Sequence, residues 1–211
     1  MSIMKSVLLV LVIVESGSAQ FSTTGRANIT KVHNDLRSAI AKGTYTAKGT
    51  LEPAAANMRK LKWNAYLGIT AQEYADKCPN SYSNTEGVGE NLYTIWYARS
   101  PNLDNSGVEA SKAWAKEFQD IGWTSILLDP KTLYSGIGHA TQMAWAETNL
   151  IGCGVKNCGK DAKHYDYYKV VVVCQYQKQG NVLNTNIYQK GDTCSSCPSG
   201  STCEVSSGLC A

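Results

Sequence analysis

Eight cysteines limit what this chain can become more than any other feature of its sequence. Four are spread between residues 78 and 174, and four are crowded between 194 and 210. They follow an opening stretch, "MSIMKSVLLVLVIVESGSAQ", in which Lys5 precedes an apolar run from Val7 to Val14. Gly17-Ser18-Ala19 then offers small residues for cleavage. A run this short cannot cross a bilayer as a helix, so residues 1–19 read as a secretory signal. An even number of cysteines behind such a leader points to an oxidising compartment and a disulfide framework. The protein is therefore expected to be secreted and extracellular. No later apolar stretch is long enough to form a transmembrane segment, and "VVVVC" at 170–174 reads as a buried core strand.

Roughly 190 residues remain after the signal, enough for one domain with a small appendage. The net charge is +3, and removing Lys5 and Glu15 with the signal leaves it unchanged. No basic block with interleaved aromatics is present, which argues against a nucleic-acid partner. Asn28-Ile29-Thr30 is an N-x-S/T sequon and makes Asn28 a candidate glycosylation site.

Ile29, Val32, Leu36 and Ile40 recur at three- and four-residue steps and stop before Gly43, which predicts a helix over 26–43. "YTAKGTLEPAAANM" reads as a loop. A second helix is expected around 64–78, with Leu67, Ala71, Tyr74, Ala75 and Cys78 on one face. "CPNSYSNTEGVGE" is turn chemistry, and "NLYTIWY" reads as a strand. Ser106-x-x-Glu109 matches a capping box and predicts a third helix over 107–121. Its apolar stripe holds Ala110, Trp114 and Ile121, and Glu117 falls on that same stripe. A carboxylate so placed needs a partner, because an isolated buried charge is costly. "LIGCGV" and "KVVVVCQY" read as core strands, which gives an α+β or three-layer arrangement. From residue 191 large apolar side chains nearly vanish while cysteines crowd, so the division is a body over 20–190 and a cysteine-rich extension over 191–211 organised by disulfides.

Three stretches stand out: "GEN" at 89–91, "GHATQMAWAET" at 138–148 and "VVVCQYQKQGNV" at 171–182. Together they resemble the signature motifs of the CAP superfamily of cysteine-rich secretory, antigen 5 and pathogenesis-related proteins. "HNDLR" at 33–37 and "AWAKEF" at 113–118 agree with two of that family's helices. The likeness covers roughly 26–190, and the tail is similar to the extension of the nematode SCP-like, venom allergen-like branch. The resemblance implies a three-layer α-β-α sandwich around a small antiparallel sheet. It also implies a cavity lined by two histidines and two glutamates, which in some members binds a divalent metal such as zinc. Glu90, Glu117 and His139 match three of the four positions, and Tyr82 stands at the fourth, where histidine is usual. Zinc favours imidazole and thiolate, and a neutral phenol with a pKa near ~10 is a poor substitute. His139, Glu90 and Glu117 are left as weak metal candidates, and no cofactor is expected. Ala140 and Lys178 stand where the family commonly has an aromatic residue and a proline, and are expected to reshape the cleft edge.

Cys153 and Cys174 fall on adjacent predicted strands, and in related proteins the matching cysteines pair; elimination then joins Cys78 to Cys158. In the tail three pairings are open, of which Cys194–Cys203 and Cys197–Cys210 are expected. His33, on a semi-apolar helix face, reads as a hydrogen-bonded core histidine, and His164 in "KDAKHYDYY" as a solvated one.

These features suit a non-catalytic binding module that takes, as the resemblance implies, a lipid, a sterol or an extracellular protein partner. The alternative is a metal-assisted hydrolase using the His139/Glu90/Glu117 cleft. That chemistry needs an activated nucleophile or a metal-bound water. The chain carries no HExxH, no GxSxG and no phosphate-binding Gly-Lys loop. A channel-directed toxin acting through the tail is a third class, and a tail with four cysteines and no basic cluster argues against it.

Overall fold

A computed structural model describes residues 21–211. The expected signal over 1–19 lies outside the described residues. In chain order the elements are α1 (Thr23–Ala41), β1 (Thr46–Ala47), β2 (Thr50–Leu51), β3 (Lys62–Trp63), α2 (Ala65–Ala75), β4 (Gly89–Tyr97) and α3 (Leu103–Asp120). Then come β5 (Leu127–Leu128), α4 (Pro130–Leu133), α5 (Gly138–Ala144), β6 (Leu150–Asp161), β7 (Tyr167–Gln177), β8 (Thr185–Asn186), β9 (Cys203–Glu204) and β10 (Leu209–Cys210).

The centre is a four-stranded sheet in the order β3-β6-β7-β4. Its three long strands are antiparallel, but β3 lies parallel to β6, so the sheet is mixed where an antiparallel one was expected. Helices α1, α3 and α5 cover one face and α2 the other, which makes the expected α-β-α sandwich. Gly152 and Gly154 let α2 come close to β6. A Cβ at Gly152 would lie 2.2 Å from the Gly68 amide nitrogen, and one at Gly154 2.3 Å from the Gln72 Cα. With β6 and β7 covered on both faces, Ile151, Val155 and Val170 to Val173 are all fully buried, as a continuous apolar run requires.

Several local boundaries differ from the sequence pattern. Helix α1 starts earlier, because the Ser22 side chain caps the Gly25 amide. Helix α3 also starts earlier, at Leu103: Asn102 is its N-cap, and Ser106 lies inside the helix with its hydroxyl returning to the Asn102 carbonyl. Glu109 closes no capping box and instead accepts from the Tyr97 hydroxyl at 2.6 Å. Ile121 sits past the helix end and is 42% exposed, because the chain turns away at Gly122 with φ +97°. Helix α2 stops at Ala75, so Cys78 lies outside it, and Tyr74 is half-buried. The loop at 45–58 holds the small β1–β2 hairpin.

Four disulfides are formed: Cys78–Cys158, Cys153–Cys174, Cys194–Cys203 and Cys197–Cys210. These are the four pairs named above. Cys153 and Cys174 face each other directly across β6 and β7, with Cα atoms 4.1 Å apart. Both tail bridges close within the tail. The tail also docks on the body: Leu209 joins the main core, the Cys210 amide donates to the Met58 carbonyl, and Lys60 pairs with Glu204.

Candidate functional site

The cleft forms where the starts of β4 and α5 meet the turn after α2. Its volume is about 780 Å³, and Tyr82, Glu90, Gly138 and His139 are among its walls. Volumes of this order are typical of small-ligand sites.

His139 opens α5, and Glu117 reaches it from the last turn of α3. The Glu117 carboxylate takes the His139 Nδ1 at 2.5 Å on one oxygen. Its other oxygen accepts the backbone amides of His139 and Ala140 at 3.1 and 3.0 Å. One acid thus orients the imidazole and satisfies two amides that the start of α5 leaves free. The carboxylate can only accept, so Nδ1 carries a hydrogen, and Nε2 meets the Tyr82 hydroxyl at 2.9 Å. Trp114, one turn before Glu117 on α3, lies nearly parallel to the imidazole at 5.9 Å. Burial, with the nearby Glu117 and Glu90 carboxylates, raises the Tyr82 phenol above its ordinary value, so it stays neutral.

Glu90 departs from the expected trio, since none of its hydrogen bonds goes to His139. Its oxygens accept the Ser83 amide at 2.7 Å, the Ser83 hydroxyl at 2.6 Å and the Gln175 side chain at 3.0 Å. The alternation of β4 sends Glu90 toward the turn before the strand, while Glu117 comes from the opposite helical layer. Among the described residues, one three-donor group brings its ligand atoms within 4.8 Å of one another: Cys194, Cys197 and Cys210. Those sulfurs are all in disulfides. The cleft donors are not gathered in that way, and each is held by other bonds. Glu117 and Glu90 are each held by three hydrogen bonds, both nitrogens of His139 are engaged, and the fourth position is a neutral phenol.

The other positions singled out from sequence lie outside the cleft wall. Ala140 is fully buried, and Lys178 is exposed beside Glu147 at 3.6 Å, so neither shapes the cleft edge. His33 is buried as expected, with Nδ1 on the Ile29 carbonyl and Nε2 on the Tyr176 hydroxyl, each at 2.9 Å. His164 is exposed as expected. It stacks on Trp96 at 4.0 Å and meets Asp161 at 2.8 Å.

Sequence pattern missed Arg37. Its guanidinium is fully buried and donates to the carbonyls of Arg59, Met143, Trp145, Ala146 and Thr148 at 2.6–3.1 Å. It holds the chain leaving α5 as Glu117 holds the chain entering it. Asn91 adds a further tie, donating to the His139 carbonyl and to Tyr176.

The family model described as the cysteine-rich secretory protein family matches residues 30–176. Ancylostoma secreted protein of Ancylostoma caninum is 34% identical over 193 residues, which cover 88% of this chain and 43% of that protein. Scoloptoxin SSD43 of Scolopendra dehaani is 31% identical over 86% of this chain and 82% of its own length. The chain thus spans less than half of the first relative and most of the second. Among solved structures, NaASP2 with Zn2+ superimposes with a TM-score of 0.82 at 31% identity, covering 93% of this chain and 98% of that one.

Proposed function

Because the chain belongs to the cysteine-rich secretory protein family, we propose that it works outside the cell as a binding module and not as an enzyme. One observation carries this reading: both ring nitrogens of His139 are already engaged, by Glu117 and Tyr82. A carboxylate-oriented imidazole can act as a general base on a hydroxyl it touches. The hydroxyl here is the Tyr82 phenol, which burial and the Glu117 and Glu90 carboxylates hold neutral and poorly nucleophilic. The His139–Glu117 pair instead fixes the floor of a cleft that receives an extracellular protein partner. The same reading takes 20–190 as the binding body and 191–211 as an extension, with Asn28, exposed on α1, carrying a glycan.

His139→Ala tests it. Glu117 would keep its two backbone amides and lose the imidazole. With side chains 27% and 18% exposed, the loss is about 1–3 kcal/mol of stability. The melting temperature should fall by a few degrees, with no hydrolysis of a peptide or ester panel in either protein. Turnover in the parent protein that disappears in His139→Ala, with an unchanged melting temperature, refutes the proposal.

The metal question separates this chain from its solved relative crystallised with Zn2+. Titration calorimetry near neutral pH should detect no submicromolar zinc binding, and Tyr82→His should strengthen whatever binding is seen. Submicromolar affinity abolished by His139→Ala contradicts this.

A second reading, a lipid or sterol carrier, is favoured by a separate groove of about 570 Å³ between α1 and β3. Ala27 and Trp63 line it, with Arg26 and Lys60 at hand for an acidic headgroup. Native mass spectrometry after incubation with palmitate should show an adduct that Trp63→Ala loses; no adduct in the parent protein removes this reading.

A further inference from the structure

The cleft has two unlike linings. Among the described residues its carboxylates are Glu86 and Glu90, both from the 82–91 segment, and no lysine or arginine lines it. Glu117 adds a third carboxylate, bound to His139. Even a charged His139 would offset only one of the three. The chain as a whole is +3, so the cleft is opposite in sign to the molecule at large. Charges of one sign in a concave wall focus their field on the opening. Beyond burial, the Glu117 and Glu90 charges both raise the Tyr82 phenol, so their field reaches the cleft. Glu90 is tied to Ser83 and Gln175. Glu86 is exposed and has no hydrogen-bond or ion-pair partner among the described residues. The second lining is apolar. It holds Leu133 and Tyr134 from the end of α4, and Tyr134 is 81% exposed.

Resting on the reading of the cleft as a site for a protein partner, we propose that the cleft takes an arginine side chain of that partner. The guanidinium meets Glu86 and Glu90, and the apolar stem runs along Leu133 and Tyr134. The two halves of this side chain match the two linings. An inorganic cation has no apolar part to place. A hydrocarbon chain would leave the Glu86 and Glu90 carboxylates facing apolar atoms, which is costly. A free carboxylate and a bare phenol ring are also the two groups that a guanidinium uses best. Its planar fork accepts two-pronged pairing with Glu86, and its face stacks on an aromatic ring such as Tyr134. Lysine offers a point charge and neither feature, so it suits the cleft less well.

The test follows amide chemical shifts of the isotope-labelled, disulfide-bonded protein while acetyl-glycyl-arginyl-glycinamide is added. The citrulline counterpart of that peptide keeps the shape of the side chain and lacks the charge. The arginine peptide should move the Gly87, Gly89 and Gly138 amides, and the citrulline peptide should bind about five- to twentyfold more weakly. Glu86→Gln should weaken the arginine peptide about three- to tenfold and leave the citrulline peptide within about twofold. Tyr134→Ala should weaken the arginine peptide about two- to fivefold. Both positions are exposed, so these variants leave the fold intact. Equal binding of the two peptides at these amides overturns the proposal while leaving the cleft a binding site. So does an arginine peptide that moves none of them, or one that Glu86→Gln does not weaken. Cleavage of the peptide during the titration, lost in His139→Ala, would instead overturn the non-catalytic reading on which the proposal rests.

Discussion

Replacing Arg37 with methionine should lower the melting temperature by about 6–20 °C. The side chain keeps its length and loses every donor, while the carbonyls of Arg59, Met143, Trp145, Ala146 and Thr148 stay in place. The Trp145 and Ala146 carbonyls also accept the Thr148 and Arg59 amides, respectively, at 3.2 Å. It is therefore the carbonyls of Arg59, Met143 and Thr148 that are left bare, at about 1–3 kcal/mol each where nothing replaces the bond. Part of that is recovered by relaxation, and by the relief of a buried charge whose pKa desolvation has pulled down to about 9. A net loss of about 3–5 kcal/mol is expected, as when one partner is removed from a buried polar set. Each kcal/mol shifts a domain of this size by about 2–4 °C. Arg37→Lys should fall between the two, since a single ammonium has three donors for five carbonyls. Thermal denaturation followed by circular dichroism measures both, and a loss under about 1 kcal/mol for the methionine variant would show that water satisfies those carbonyls.

Arg37 also shows why part of this molecule could not be read from its sequence. Its sequence neighbours in "HNDLR" suggest the polar side of an amphipathic helix, and nothing local marks it as buried. What it binds is backbone, at Arg59 22 residues away and at Met143, Trp145, Ala146 and Thr148 more than a hundred away, and backbone has no sequence signature. His139, Glu117 and Glu90 could be found because they recur in ordered motifs, and the four cysteine pairs because strand adjacency, resemblance and elimination left few choices. The internal wiring of the cleft could not. Whether His139 meets Glu90 or Tyr82 depends on where β4 aims its first side chains and how the 79–88 turn folds back, a tertiary matter that spacing does not encode. The misplaced start of α3 has a different cause. Asn102 and Ser106 are both competent caps, and the presence of Glu109 favoured the wrong one because its real partner, Tyr97, comes from the preceding strand.

The second large effect belongs to His33, and it is a pH effect. Nδ1 donates to the Ile29 carbonyl, so in the neutral ring Nε2 accepts from the Tyr176 hydroxyl, which in turn accepts from Asn91. Burial lowers the His33 pKa from 6.5 to about 4, and the neighbouring Arg37 charge adds to this against the Ile29 bond. Above pH 6.5 the imidazole is neutral in both folded and unfolded chains, and the full stability is present. As pH falls from 6.5 toward 4, the unfolded chain takes up a proton that the folded chain refuses, so stability drops. Below about 4 both states are protonated and this contribution to the decline ends. The window corresponds to about 3 kcal/mol. Carboxylates titrate over part of the same range, so the parent curve alone does not isolate the histidine. Urea unfolding at pH 7 and pH 4 should therefore be run on the parent and on His33→Gln, which has no titrating ring. The stability gap between the two proteins should shrink by about 3 kcal/mol on going to pH 4. Parallel pH dependences would show that protonated His33 is accommodated in the fold. A narrowing gap would establish the hydrogen-bonded line from Asn91 through Tyr176 to His33 as neutral, and thus as packing that supports the His139 carbonyl from beneath the cleft.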